Sequence, residues 1–460
     1  MPKTQKIARF AGRILAGTIV TACAVSGVIA AGHIKPNYPQ VTPQALAANT
    51  ASNSNNTIAC SGAFAELGAD QARSSVSIPR GSVAITSTVA GGTEIKREEG
   101  AAATFGRAFT APASTPLVAA GSQALSSETL RGLAAHSCNQ PATEQWLVGG
   151  STNTGASSTV TVTNAGNSPA TVTFTAYNDQ GLVAGGTGAG VLVQPGNSRT
   201  VSVNGIAPAS AVVALRVSSV GSPVVATLGT SEILTLTPIG IDTVTSQQPP
   251  SKQITILGVK STVENTAGDA GVGAANVLAL LSPEKSGVAK LSGLTKDGKT
   301  VNLGTVALTA DKITQHKLEN LPKEVTAIHI TADVPIVGAA RGSTIQSGRT
   351  DLVWFTPSPL ISKNTNAAIT VAANGKITLA NPANKPASVT LTSKNDPAKT
   401  AKTELPANSA VTLDAPDSVL LVKTTGDIYA AVTIFEAQGA AAYPVQNPTQ
   451  RNAELNIYTD

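Results

Sequence analysis

Polar and hydrophobic residues alternate strictly in two runs of the stretch 159–227, at residues 159–163 and 171–177. Residues 171–177 read Thr-Val-Thr-Phe-Thr-Ala-Tyr. Successive side chains of a β-strand point to opposite faces, so Val172, Phe174 and Ala176 share one face and the threonines share the other. The pattern is typical of a strand with one buried and one solvated face.

The order of strands and turns in this stretch recurs twice downstream with shorter loops. The break at Asn164 and the turn at Pro195 correspond to Asn381 and Pro406 in the third copy, whereas the second copy has Ser282 at the break. Repeats of about 100 residues built from many short strands predict an all-β protein of tandem immunoglobulin-like β-sandwich domains. The predicted repeats cover residues 146–246, 252–360 and 365–460.

The N-terminal segment predicts a membrane anchor. Residues 14–34 are apolar apart from His33, and as a helix they would span about 31 Å, the thickness of the hydrocarbon core. Residues 1–13 carry four basic and no acidic side chains, so the positive-inside rule places them in the cytoplasm. We therefore expect a single-pass protein of the cell membrane with an extracytoplasmic body.

Two alternatives to an uncleaved anchor remain open. A cleaved signal peptide could end at Ala30-Ala31 or at 45–47, where small residues occur. A lipoprotein could be lipidated at Cys23, although the apolar run continues beyond that residue. Each of the three interpretations exports the body.

Residues 35–59 are polar, lack periodicity and predict a flexible stalk.

The two cysteines that follow, Cys60 and Cys138, predict one disulfide in an exported protein, with two buried thiols as the alternative. The bond would tie residues 60–145 to the start of the first repeat. That region contains short strand-like runs and a weak helical pattern from Ser127 to Ala135. It either completes the first sandwich or forms a small domain.

Net charge gives no support to nucleic-acid binding. The chain carries +5 in total, and +4 of it lies in the first thirteen residues. The remainder is nearly neutral and has no basic stripe to follow a phosphate backbone. We expect no nucleic-acid partner.

Catalytic signatures are absent from the sequence. None of the four histidines has a partner at metal-ligand spacing, and no Gly-x-Ser-x-Gly motif occurs. The glycine-rich residues 185–190 lead into a strand, whereas a phosphate-binding loop leads into a helix. We predict no catalytic residue, no cofactor and no metal.

Trp146 and Trp354 are the two tryptophans of the chain. They could form exposed platforms that contact a sugar ring or a partner protein. The alternative, which the usual burial of tryptophan favours, is packing in the core or between domains.

Cys138-x-x-Pro141 followed by residues 146–152 resembles an uncharacterised family of high-GC Gram-positive bacteria. Its members are membrane-anchored and extracytoplasmic and carry a domain of unknown function. The resemblance covers residues 60–460 and is most specific at 138–230. It implies a cell-envelope setting and supplies no activity.

Taken together, these features predict a non-enzymatic envelope protein whose sandwiches bind cell-wall glycan or other envelope proteins. One alternative is an accessory subunit of an envelope-polysaccharide assembly machine, contacted through the anchor. Another is a glycan-modifying enzyme with converging carboxylates.

Overall fold

The structure is a computed structural model that describes residues 45–49, 55–67, 77–97, 106–184, 190–260, 276–319, 321–346, 348–363, 365–447 and 454–458. Regular secondary structure in these ranges is β-strand throughout. They contain no helix that is long and apolar enough to cross a membrane. The predicted tail 1–13, the anchor 14–34 with Cys23, and most of the glycine-rich loop lie outside the described residues.

The chain divides into two compact units. One comprises residues 1–52 and 452–460, and in it strand β1 (Ala45–Asn49) pairs antiparallel with β35 (Glu454–Tyr458). The other, residues 53–451, is the body. Its first strand begins at Asn55, so the body starts inside the segment 35–59 that we predicted to be a flexible stalk.

The strands of the body form four consecutive groups. The first is β2 (Asn55–Cys60), β3 (Ala65–Leu67), β4 (Ser77–Pro79), β5 (Ala84–Ser87), β6 (Thr93–Arg97), β7 (Gly106–Pro112), β8 (Ala119–Ser126) and β9 (Arg131–Ser137). The second is β10 (Glu144–Gly149), β11 (Ala156–Asn164), β12 (Ala170–Asn178), β13 (Gly181–Leu182), β14 (Val191–Val193), β15 (Asn197–Ser202), β16 (Val213–Gly221), β17 (Val225–Leu234) and β18 (Thr237–Thr245).

The remaining strands continue the series. The third group is β19 (Ser251–Leu257), β20 (Val277–Leu281), β21 (Gly287–Leu294), β22 (Thr300–Leu308), β23 (Ile313–Lys317), β24 (Ala327–Gln346) and β25 (Arg349–Phe355). The fourth is β26 (Leu360–Ile361), β27 (Ala367–Thr370), β28 (Lys376–Asn381), β29 (Ala387–Ser393), β30 (Thr400–Leu405), β31 (Ser409–Asp414), β32 (Val419–Thr424), β33 (Ile428–Glu436) and β34 (Gly439–Pro444).

The alternation in the first repeat forms the predicted two-faced strand. In β12, Val172 and Phe174 are buried while Thr171 and Thr173 are exposed. Val172 and Phe174 belong to the same buried cluster as Val160 of β11, a strand of the other sheet of this group. The two sheets are therefore joined by aliphatic and aromatic side chains, which the threonines on the outer face cannot supply.

Sheet topology is shared by the second and fourth groups. One sheet has the order β10-β16-β12-β14 and recurs as β27-β32-β29-β30. The other has the order β15-β11-β17-β18 and recurs as β31-β28-β33-β34. When the two-residue strands β13 and β26 are left out of the count, the first strand lies beside the sixth and the seventh beside the second. An immunoglobulin domain instead has its first strand beside the second and its seventh beside the sixth. Hence the predicted all-β class is confirmed, while this strand order differs from the immunoglobulin arrangement.

An asparagine marks the same corner in both of these groups. The side-chain amide of Asn164 donates to the carbonyls of Ser168 (2.8 Å) and Val193 (3.0 Å). Asn381 donates in the same way to the carbonyl of Lys385 (2.8 Å). Both asparagines are almost completely buried. Each satisfies backbone carbonyls that would otherwise be unpaired at the end of a strand, which explains the recurrence of the residue.

The third group follows the same order with one difference. The sequence predicts two strands at residues 325–330 and 334–340, whereas the structure has the single strand β24, which begins at Ala327 and continues through both. Its residues 327–332 pair with β19 and β21, and its residues from 337 onward pair with β20 and β25. The predicted break is therefore the point at which one strand passes from one sheet to the other, a known way to form a corner between sheets.

The first group is a shorter version of the same pattern. Its strands form the sheets β2-β7-β6 and β5-β8-β9, and β6 also pairs in parallel with β15 of the next group. Residues 60–145 thus form sheets of their own and also extend the first repeat. The predicted disulfide between Cys60 and Cys138 is present. It closes a loop of 78 residues within this group, which in the chain-entropy treatment contributes about 4 kcal/mol.

The predicted helix from Ser127 to Ala135 is wrong. The Ser127 hydroxyl accepts the amide of Leu130 (3.0 Å) in a turn, and β9 begins at Arg131 and pairs with β8. Gly132 has φ of +138°, which a right-handed helix cannot contain. Ser127 is thus a residue of the hairpin turn between β8 and β9.

The last strands of the four groups, β9, β18, β25 and β34, pack around one another at the centre of the body. The Asp351 carboxylate of β25 connects them. Its Oδ2 accepts the amides of Leu133 in β9 (3.0 Å) and Ala440 in β34 (2.9 Å), and its Oδ1 accepts that of Ile241 in β18 (3.3 Å). One side chain thereby binds the backbone of the other three central strands.

A glycine precedes each of these three amides, namely Gly132, Gly240 and Gly439. A Cβ atom at any of them would collide with the Asp351 carboxylate. Three glycines and one aspartate thus occupy corresponding places on the four strands. The aspartate side chain fills the space that the glycines leave.

We expect Asp351→Asn to lower the free energy of unfolding by about 3 kcal/mol, because a side-chain NH₂ would face amide donors that lose their acceptor. Equilibrium denaturation in urea measures the loss. Asp333→Asn is the control, since this exposed carboxylate accepts one amide at the surface and its replacement should cost less than about 0.5 kcal/mol. Equal losses in the two variants would contradict the central role of Asp351.

Candidate functional site

Beyond the central strands, the chain runs into short polar segments that meet at one end of the body. They are Asn139-Gln140 after β9, Gln247-Gln248 after β18 and Gln446-Asn447 after β34. Because the central strands pack together, these segments converge and enclose a cavity of about 240 Å³. We call it the carboxamide pocket, after the side chains that line it: Asn139, Gln140, Gln145, Gln247, Gln248, Gln446 and Asn447.

Two of these amides hold the wall together. Gln145 donates to the carbonyl of Val224 (2.7 Å) and accepts the amide of Ala226 (3.0 Å). Gln247 forms the same reciprocal pair with the backbone of Gly338, at 3.1 Å in each direction. Their hydrogen-bonding groups are used by β16–β17 and β24, so they position the pocket and are not free for a ligand.

Other amides keep unused hydrogen-bonding groups. Asn139 is 94% buried and donates to the Ser246 hydroxyl (2.7 Å), yet its Oδ1 has no hydrogen-bond partner. Asn447 accepts the amide of Ala368 (2.9 Å) with its Oδ1, whereas its Nδ2 is unpaired. Buried polar groups without partners are rare in proteins. Two residues of the pocket wall therefore carry one unused acceptor and one unused donor.

The pocket is electrically neutral. Glu144 is the one acidic or basic side chain among its lining residues, and its Oε2 binds Arg216 Nη2 at 2.5 Å. Its Oε1 accepts the indole N–H of Trp146 at 3.3 Å. With its charge balanced outside the cavity, Glu144 gives no preference for a cation.

His136 and Ser61 form a buried pair that resembles a serine nucleophile and its base. His136 Nε2 lies 3.4 Å from the Ser61 hydroxyl, which is 2.7 Å from the hydroxyl of Thr227. Burial lowers the pKa of His136 to about 4, partly offset by its hydrogen bond to Ser61. The ring is 4% exposed and lines neither the carboxamide pocket nor the other described cavities. A substrate has no access to this pair, so its role is structural.

Two carboxylates are also buried. Burial raises the pKa of Asp351 and of Asp242 well above the usual value, and the negative charge of Asp242 raises that of Asp351 further. Backbone amides partly oppose these shifts. The Asp242 carboxylate accepts the amides of Trp354 (2.6 Å) and Thr243 (2.7 Å). Both carboxylates are occupied by the protein backbone and join strands.

No group of three or more His, Cys, Asp or Glu side chains that could hold a metal ion occurs in the described ranges.

Trp146 and Trp354 are 2% and 1% exposed and belong to one buried cluster that includes side chains of both the second and third groups. The Trp146 ring stacks on Tyr177 with 5.8 Å between centroids. Neither indole forms a surface platform, although Trp354 borders a second cavity, between the second and third groups of strands.

The pocket residues are not predicted from the sequence, because Gln247 and Gln248 fall between the predicted repeats 146–246 and 252–360. A signal was present. Asn139-Gln140-Pro141, Gln247-Gln248-Pro249 and Gln446-Asn447-Pro448 are three copies of two carboxamides followed by proline. Each copy follows the last strand of a group, a correspondence that requires knowing where those strands end.

Comparison with known proteins identifies a family. The profile described as "Family of unknown function (DUF5719)" matches residues 94–416, more than half of the chain. No curated protein matches. Among solved structures, the crystal structure of Thermotoga maritima 1070 is similar at 14% sequence identity, over 24% of this chain and 95% of that chain, with a TM-score of 0.21.

His136 should make stability depend on pH. Its pKa is about 4 in the folded protein and 6.5 when unfolded. The folded state therefore excludes the proton. The contribution of His136 to the free energy of unfolding is complete above pH 6.5 and falls by about 3 kcal/mol as the pH drops to 4. Urea denaturation at a series of pH values should show a shallower loss in His136→Gln than in the native protein. Parallel profiles would contradict the assignment.

Proposed function

The chain belongs to the Family of unknown function (DUF5719), and we propose that it is a non-enzymatic, extracytoplasmic protein of the cell envelope that binds neutral carbohydrate in the carboxamide pocket. The observation that carries this proposal is the pair of lining amides Asn139 and Asn447, with one unused acceptor and one unused donor, in a cavity whose one charged lining side chain, Glu144, is paired with Arg216.

Carbohydrate matches the chemistry of the pocket. A sugar hydroxyl donates and accepts a hydrogen bond, and a carboxamide does the same. The unpaired Asn139 Oδ1 could accept from a hydroxyl, and the unpaired Asn447 Nδ2 could donate to one. A charged ligand would enter the neutral pocket without a counter-ion, at a cost in desolvation free energy. A cavity of about 240 Å³ is suited to a sugar residue more than to a folded partner.

Gln140 and Gln248 complete the set at the mouth of the pocket. Gln140 is half-buried and Gln248 is exposed, and neither side chain is hydrogen-bonded within the described part of the chain. Their flexible amides could close on a sugar that the buried amides have oriented. The pocket thus combines a rigid wall, formed by Gln145 and Gln247, with an adaptable rim.

Several features support the envelope setting. The disulfide Cys60–Cys138 is typical of proteins that fold in an oxidising compartment. The basic residues 1–13 and the apolar residues 14–34 support a cytoplasmic N-terminus and a membrane anchor. The resemblance of residues 138–230 to a family of high-GC Gram-positive bacteria supports the same setting. In that setting, cell-wall glycan is the carbohydrate that the pocket would bind.

The proposal of a binding protein also rests on how carboxylates are used. A glycosidase needs two carboxylates that face its substrate. Asp242 and Asp351 are held by backbone amides, and Glu144 is held by Arg216. These contacts favour binding over hydrolysis.

The test is retention of the full-length protein on purified cell wall, followed by calorimetric titration with neutral oligosaccharides released from it. We expect the double variant Gln140→Ala/Gln248→Ala to bind about tenfold more weakly, from the loss of two hydrogen bonds. Asn139→Leu should abolish binding, because it replaces the amide by an apolar side chain of similar shape and removes the acceptor.

Gln253→Ala provides the matched control, because Gln253 is an exposed glutamine on β19 outside the pocket. It should bind like the native protein. Absence of retention by the native protein, or equal weakening by Gln253→Ala and the double variant, would refute the carbohydrate proposal.

A further inference from the structure

A second cavity, of about 300 Å³, lies between the second and third groups of strands. Residues at the start of β11 and on β17 and β18 form one side, and residues of β20, β23, β24 and β25 form the other. Apolar residues form one part of its wall, namely Val212, Ile233, Ile239, Val277 and Ala279, and the polar residues Ser151, Asn153, Thr154 and Gln315 also line it. We call it the inter-repeat cavity.

Trp354 forms part of the wall of this cavity. Its indole is 1% exposed, and its N–H has no hydrogen-bond acceptor. Gly149 lies against the Cδ2–Cε3 edge of the ring, the edge opposite the N–H. A buried indole N–H usually finds a partner, because leaving it unpaired costs free energy. One residue of the cavity wall therefore carries an unused donor.

A second donor is present nearby. Arg341, also a lining residue, binds Glu232 Oε2 through Nη2 at 2.6 Å, and its Nε is buried and unpaired. Both unused groups are N–H donors, so they require acceptor oxygens from a ligand. The ion pair between Arg341 and Glu232 balances the charge, which favours a neutral ligand over an anion.

The mouth of the cavity is apolar as well. Leu234 lines the cavity and is 45% exposed, and Leu236 in the adjoining turn is 86% exposed, the highest value among the large hydrophobic residues of the described ranges. Exposed leucines beside a cavity mark a surface that an apolar ligand can cover. A chain leaving the cavity past these leucines would keep its carbon atoms out of water.

From these contacts we infer that the inter-repeat cavity binds an acyl chain linked through an ester or amide carbonyl. The carbonyl oxygen accepts from the Trp354 indole and the Arg341 guanidinium. The chain lies along the aliphatic wall and leaves past Leu234 and Leu236. The site is separate from the carboxamide pocket and does not depend on the carbohydrate proposal.

Calorimetric titration of the full-length protein with monooctanoylglycerol, below its micelle concentration, tests the inference. Monoacetylglycerol retains the carbonyl without the chain, and 1,2-octanediol retains the chain without the carbonyl. We expect saturable binding of the octanoyl ester and at least tenfold weaker binding of the other two. Equal binding of octanediol would overturn the carbonyl contact, and absence of octanoyl binding would overturn the site.

Two matched variants locate the site. Val277→Phe fills the cavity and should weaken binding at least tenfold, whereas Val288→Phe makes the same change at an exposed position on β21 and should leave it unchanged. Trp354→Phe should weaken binding about fivefold by removing the N–H. If either cavity variant fails to fold, the surface variant Leu236→Ser decides, with a loss of threefold or more expected. Native affinity in Leu236→Ser would then overturn the proposed exit of the chain.

Discussion

The body depends on one buried carboxylate. Asp351 accepts hydrogen bonds from amides of three strands that belong to three different groups. Within the part of the chain that the structure describes, no other side chain joins all four central strands by hydrogen bonds. Close approach of those strands is possible because Gly132, Gly240 and Gly439 have no Cβ to collide with the carboxylate. The hydrogen bonds of these three amides and the close packing of the strands therefore depend on each other. A side chain at any of the three glycines would displace the Asp351 carboxylate that accepts those bonds.

This central packing also determines where the carboxamide pocket forms. The polar segments after β9, β18 and β34 converge because the strands before them are packed together, and their amides then line one pocket. The inter-repeat cavity arises differently, where the faces of two groups meet around Trp354 without filling the space completely. One site is formed by strand ends and the other by an interface, which is why their ligands are expected to differ in chemistry.

Much of the secondary structure followed from local pattern. Val172 and Phe174 alternate with threonines, and a period of two permits a strand and little else. The helix predicted at 127–135 failed because the pairing of β9 with β8 outweighs the weak helical pattern, and Gly132 adopts a conformation outside the helical region. The two strands predicted around residue 333 became one, because whether a break is a turn or a change of sheet depends on the strands that pair on each side.

The sequence by itself determined the all-β class, the recurrence of the Asn164 corner at Asn381, and the cysteines available for a disulfide, because each follows from residue type and spacing along the chain. Tertiary structure alone decided that β2–β9 form a strand group of their own, that Asp351 joins the four central strands, and that separate Asn and Gln residues share one pocket. Those features arise from contacts between residues far apart in the chain. A pattern of nearby residues carries no information about which distant strands will meet.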